Sequence, residues 1–221
     1  MRIGKLTVAA SAALLLTACG GSPLDGKSGP EVAEAAAAAL EEAGSVHVTG
    51  TIEQGGEEGD VDLHLQGSDA IGTLTMNGVD IELISVGGDA FLKAPGDFWG
   101  SFGMPSEATS MFEDQWILVP GDAAAEFAEF SLDGFVDELR DPESPVQDDV
   151  EEGEVDGEAV VIVTQEDGSE LAVANDDDAY PLEITNKGDS PGTLRFSRFG
   201  EKEDIEAPAD AIDLMEMMGG S

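Results

Sequence analysis

The chain has 221 residues and carries 48 acidic against 9 basic side chains, a formal net charge of −39. That balance excludes nucleic acid as a partner, since such binding relies on Lys and Arg neutralising phosphates, and it leaves no basic patch for anionic lipid headgroups. With Cys19 as the single cysteine, no internal disulfide can form, so stability must come from the core.

The chain opens on a basic start, Met1-Arg2-Ile3-Gly4-Lys5, then an apolar run over 6–16, then Leu16-Thr17-Ala18-Cys19. This is the plan of a secretory signal peptide, and the run is shorter than the roughly 20 residues a membrane span needs. Leu-Thr-Ala-Cys resembles the bacterial lipobox, whose cysteine thiol is joined to a diacylglycerol and becomes the first mature residue. The expectation is a signal peptide over 1–18 and lipidation at Cys19. The competing reading is an ordinary signal peptide that ends in a chance cysteine. Two or more acyl chains, at about 0.8 kcal/mol per buried methylene, make a stable anchor. Cys19 would then hold the chain on the outer side of a membrane, in an extracytoplasmic, lipid-anchored location.

Residues 19–29 contain Gly, Ser and Pro and read as a flexible tether. Pro30 opens a helix over 31–43, rich in Ala, Glu and Leu, with Gly44 just past its end. From Ser45 the period changes to 2. Val46-His47-Val48 through Ile52, Val61 through Leu65, 72–76, Val79 through Leu83, and 90–93 read as five strands. Asn77-Gly78 is the strongest hairpin signal among their turns. Next, 95–118 holds much of the aromatic content, with short helical turns expected at 98–102 and 106–112 and a strand at 115–119. Two short helices are expected over 122–130 and 132–140, and the block reads as a cap on the sheet's apolar face. After a connector at 141–145 and a turn region at 153–157, strands are expected at 160–164, 171–174, 181–185 and 192–199. The acidic tail is either a short helix over 210–218 or not ordered.

The order predicts an α+β fold: a curved antiparallel sheet of about ten strands, a half-barrel wrapped around helices, in one domain over 30–213 with a tail at 214–221. A sheet of that many strands curls because sheets twist. The acidic surface predicts adaptation to high salt, which shortens the screening length to about 3 Å at 1 M. An acidic surface in an ordinary organism is the alternative.

"SVHVTG" after an Ala-rich helix, "IELISVGGDAFLKA…FW", "QWILVP", "AYPLEI" and "GTLRFSRFGEKEDIEAPAD" resemble the actinobacterial envelope lipoproteins of the LppX/LprA/LprF/LprG type. The closing pattern of that family falls here on Tyr180-Pro181-Leu182, Phe199-Gly200 and Ala207-Pro208. The resemblance spans about residues 30–213 and implies a fold similar to the LolA and LolB carriers. It implies an apolar cavity holding an acyl lipid or lipoglycan, a role in lipid transport, and no catalysis. The chain is more acidic than that family. Candidate cavity-lining residues are Val48, Leu63, Leu65, Leu74, Ile81, Leu83, Phe91, Phe98, Trp99, Phe102, Phe112 and Trp116, with Phe98-Trp99 as the lip. The same residues also read as a plain filled core, in which case the chain is a structural or interaction lipoprotein with an envelope-protein partner.

Catalytic chemistry finds little support. His47 and His64 fall on the polar faces of neighbouring strands, with no metal-site spacing. There is no nucleophile elbow, no HExxH and no phosphate-binding loop. Asn175-Asp176-Asp177-Asp178 offers oxygen ligands for calcium but lacks the EF-hand spacing, and an acidic turn explains it as well. No catalytic residue, metal or cofactor is assigned.

Overall fold

The computed structural model describes residues 22–188 and 191–213, apart from 55, 102–105, 122, 123, 125, 126, 128 and 129. Its core is one open sheet made of two antiparallel meanders. The first comprises β1 (Val46–Gln54), β2 (Glu57–Gln66), β3 (Asp69–Met76), β4 (Val79–Val86), β5 (Asp89–Lys93) and β6 (Ile117–Leu118). The second comprises β7 (Val146–Val155), β8 (Glu158–Gln165), β9 (Glu170–Ala174), β10 (Pro181–Asn186) and β11 (Gly192–Ser197). They join along β1 and β11, where His47 stands opposite Ser197. β12 (Ile212–Asp213) pairs parallel with β6. The order across the sheet is β12-β6-β5-β4-β3-β2-β1-β11-β10-β9-β8-β7.

Among the described residues twelve strands stand where about ten were expected. β7 escaped the alternation signal because it is an edge strand that carries Asp148, Asp149, Glu151, Glu152 and Glu154. Those charges do a different job, since an unpaired sheet edge is guarded against pairing with other chains by like charge. β12 lies in the stretch expected to be helical or unordered, and 214–221 falls outside the described residues. The helix expected over 122–130 also falls largely outside them.

Residue alternation gives the sheet an inner apolar face and an outer polar one. Glycines on the inner face let neighbouring strands approach closely. A Cβ on Gly50 would stand 2.0 Å from the Thr193 carbonyl oxygen, and one on Gly72 2.1 Å from that of Asp62. Backbone touches backbone at these points, so the sheet closes up there as no side chain would allow.

Helix α1 (Gly29–Ala43) lies inside the curve against the second meander. Its first turn is fixed by Glu31, whose carboxylate accepts from the Ser28 backbone N–H at 2.9 Å and from the Ser28 hydroxyl at 3.0 Å. These bonds hold the Glu31 carboxyl below its ordinary range. Its last turn ends on Gly44 in the left-handed conformation, φ 69°, bonded back to the Leu40 carbonyl. Val32, Ala33, Ala36, Ala37 and Leu40 are its buried face. Two short helices, α2 (Gly96–Ser101) and α3 (Ser106–Phe112), follow β5 and pack on each other. Helix α4 (Leu132–Arg140) packs beside α1, and Arg140 reaches Glu41 at 2.6 Å and Glu34 at 3.5 Å across the seam.

The expected tether is partly folded. From Ser22 onward the chain makes a turn that buries Leu24 to 2 % exposure within the core. The Ser22 hydroxyl donates to the Asn175 side-chain oxygen. An apolar leucine amid Gly, Ser and Pro was the signal for this docking, and local composition hid it.

Candidate functional site

The inner face of the first meander carries the residues expected to line a cavity. Val48, Leu63, Leu65, Leu74, Ile81 and Leu83 point inward and are at most 4 % exposed. They meet across strands: Val48 opposite Leu63, Leu74 opposite Ile81, Leu83 opposite Leu92. Inside the curve, α4 packs against the sheet through Phe135, edge-on to Phe196 with ring centroids 5.5 Å apart.

The aromatic cluster sits at the α2–α3 corner. Trp99 is 3 % exposed and stands edge-to-face with Phe98 at 5.1 Å and with Phe112 at 6.0 Å. Its indole N–H donates to the Ala94 carbonyl at 3.3 Å, which fixes the ring at the end of β5. Phe98 is half-buried at the outside of this cluster. Phe102 lies outside the described residues.

Two expected cavity residues face the other way. Phe91 alternates with the inward Ala90 and Leu92, so it stands on the outer face opposite Ile84. Trp116 is also outward, with the Lys93 ammonium 5.8 Å over its ring and 2.9 Å from Glu82. Their parity with Lys93 and Glu82 was the sequence signal for this placement; hydrophobicity masked it. The segment over 201–211 links the end of β11 to β12 and passes His64, with Glu203 4.0 Å from that ring. Its ends are fixed where the Gly200 N–H donates to the Ser45 carbonyl and where the Ile212 N–H donates to the Trp116 carbonyl.

His47 and His64 stand directly opposite each other on the outer faces of β1 and β2. His47 bonds Asp62 at 2.7 Å. His64 is 4 % exposed beneath the crossing segment, its ring nitrogens without hydrogen bonds and Glu203 4.0 Å away. In the loop over 175–178, Asp176 accepts from the backbone N–H groups of Asp178 and Ala179, each at 3.1 Å, the geometry of an acidic turn. Among the described residues no group of three His, Cys, Asp or Glu side chains is arranged to hold a metal.

Among the described residues, two concavities lie on the surface. One of about 230 Å³ lies between Pro95–Asp97 and Thr109–Glu113, and one of about 430 Å³ lies along the N-terminal half of α1. Among the described residues no helix is long and apolar enough to cross a membrane.

Comparison with protein-family models gives no match, and comparison with curated proteins gives none either. Solved structures do match. The crystal structure of LprF from Mycobacterium bovis aligns with a TM-score of 0.57 at 15 % identity, covering 83 % of this chain and all of that one. That of the Mycobacterium tuberculosis lipoprotein LppX gives a TM-score of 0.49 at 14 % identity, covering 79 % of this chain and 97 % of that one. The chain therefore has the LprF-type fold: an open, curved antiparallel sheet around helices.

Proposed function

We propose that this chain is an envelope lipoprotein, anchored through acylated Cys19, whose half-barrel accepts the acyl part of a lipid or glycolipid between its inner sheet face and the α2–α3 corner. No catalytic step is part of this reading. The observation that carries it is the pairing of a lipobox-like N-terminus with an LprF-type half-barrel whose inner face is predominantly apolar.

The buried aromatic cluster sets an energetic condition on uptake. To admit an acyl chain, the α2–α3 corner must swing away and expose Trp99 and Phe112, at about 1.5–3 kcal/mol for each side chain. A sixteen-carbon chain gains roughly 13 kcal/mol on burial, at about 0.8 kcal/mol per methylene. That gain is counted from water, so it offsets the cost of opening for an acyl chain that would otherwise be exposed to water. Phe98 and Trp99, on a six-residue helix, form the part that moves.

The extensive buried apolar cluster also fits a second reading, a structural lipoprotein that binds an envelope protein and takes no lipid. Native mass spectrometry of the chain from Gly21 onward, purified in high salt and paired with lipid extraction, separates the two. One acyl lipid per chain supports the carrier reading. An empty, compact protein that pulls down a membrane protein supports the second.

A further inference from the structure

The leash between Cys19 and the folded domain is far shorter than composition suggests. Ser22 is already fixed, with its hydroxyl on the Asn175 side chain, and Leu24 is buried in the core two residues later. Only Gly20 and Gly21 separate that fixed point from Cys19. At no more than about 3.6 Å per residue, three steps span roughly 11 Å. A domain on so short a leash cannot turn freely.

From this we infer that, when Cys19 is acylated, one end of the half-barrel is held against the phospholipid surface: the end that carries the β9–β10 loop over 175–179. The inference rests on the anchoring part of the function proposed above. The strand register says what else lies at that end. Pro181 follows the loop and opens β10, Ser197 closes β11 beside the start of β1, and Gln66 and Asp69 flank the turn from β2 to β3. The opposite end carries the β1–β2 hairpin, with Glu57 paired to Gln54, and the Asn77-Gly78 turn. A nine-residue strand separates the two ends by about 30 Å. The surface set against the bilayer is acidic, with Asp176, Asp177 and Asp178 in its loop. Its close approach to anionic headgroups therefore depends on screening, which acts over about 10 Å at 0.1 M salt and about 3 Å at 1 M.

The test uses the full chain, acylated in a bacterial host and reconstituted in phospholipid vesicles in molar NaCl. Cys19 is consumed by acylation, so a new cysteine is the sole labelling point. A fluorophore is placed at Asp177→Cys in one variant and at Glu58→Cys, at the far end, in another. Both positions are exposed. Quenching by a lipid spin-labelled in its headgroup is expected to be severalfold stronger at position 177 than at 58. Inserting a twelve-residue Gly-Ser spacer between Gly21 and Ser22 is expected to remove that difference while the chain still floats with vesicles, because such a linker reaches about 20 Å and relaxes the constraint. Equal quenching at both positions in the chain without the spacer, with flotation intact, overturns the orientation and leaves the anchor standing. Failure to float overturns both.

Discussion

Replacing Gly72 with alanine tests whether the curvature of the sheet is built on glycine. The added Cβ would lie 2.1 Å from the Asp62 carbonyl oxygen and 2.9 Å from the Leu63 Cα. Real Cβ contacts essentially never fall below 3.0 Å, so β3 must retreat from β2 by about 0.9 Å at that point. Strands pair at about 4.8 Å, and a retreat of that size breaks the flanking ladder bonds. Two lost bonds at about 1 kcal/mol each, with about 1–3 kcal/mol for forcing alanine into a backbone conformation suited to glycine, give a loss of roughly 3–5 kcal/mol. With an m-value near 2 kcal/mol per molar urea, the midpoint falls by about 1.5–2.5 M. Urea titrations at fixed high NaCl, followed by far-UV circular dichroism, read this directly. Gly121→Ala is the control: nothing lies within 4 Å of that position, and the midpoint should hold. A shift at Gly72 no larger than that at Gly121 would refute the idea that backbone contact at glycine sets the curl.

The melting temperature should rise between dilute buffer and molar NaCl, because salt screens the repulsion of a −39 chain; a flat profile would remove salt adaptation. Leu24→Ala should cost about 2–5 kcal/mol in urea unfolding, as for other buried leucines, whereas a true tether residue would cost nothing. His64→Phe should leave stability unchanged or raise it by about 1 kcal/mol, since it removes ring nitrogens that are buried without partners. Glu31 has a folded value below its ordinary 4.5, so its contribution is complete above that pH and fades as pH falls through the lowered value. Acid also relieves repulsion across the whole surface, so the quantity to follow is the stability difference between wild type and Glu31→Gln. That difference should shrink below about pH 4.5.

Local chemistry made much of the fold readable. The Ala-rich helix between Pro30 and Gly44, the alternating strands and the Asn77-Gly78 turn are each set by neighbours in sequence. Asn77 and Gly78 both take the positive φ that their hairpin requires. The inward set Val48, Leu63, Leu65, Leu74, Ile81 and Leu83 followed from period 2 alone. What escaped depends on contacts far along the chain. Leu24 is buried by a domain that composition cannot foresee, and β7 is an edge whose charges mimic a loop. Phe91 and Trp116 read as inward because they are apolar, yet parity with Lys93 places them on the outer face, where the Trp116 carbonyl accepts from Ile212, 96 residues later. Whether the inner face encloses a void is a matter of helix-to-sheet distance, which no residue pattern encodes.

The join between β1 and β11 bears on how such a chain reaches its working place. Partners there lie about 150 residues apart, with His47 opposite Ser197, and β12 at the far edge waits for Ile212. Contacts of such separation form slowly, because a long loop must close before they reward it. The first meander can assemble early, but the two halves cannot be seamed until nearly the whole polypeptide is present. A chain threaded lengthwise through a translocation pore thus arrives with its architecture still open. On the secreted reading proposed above, completion falls on the far side of the membrane, where the last strands emerge.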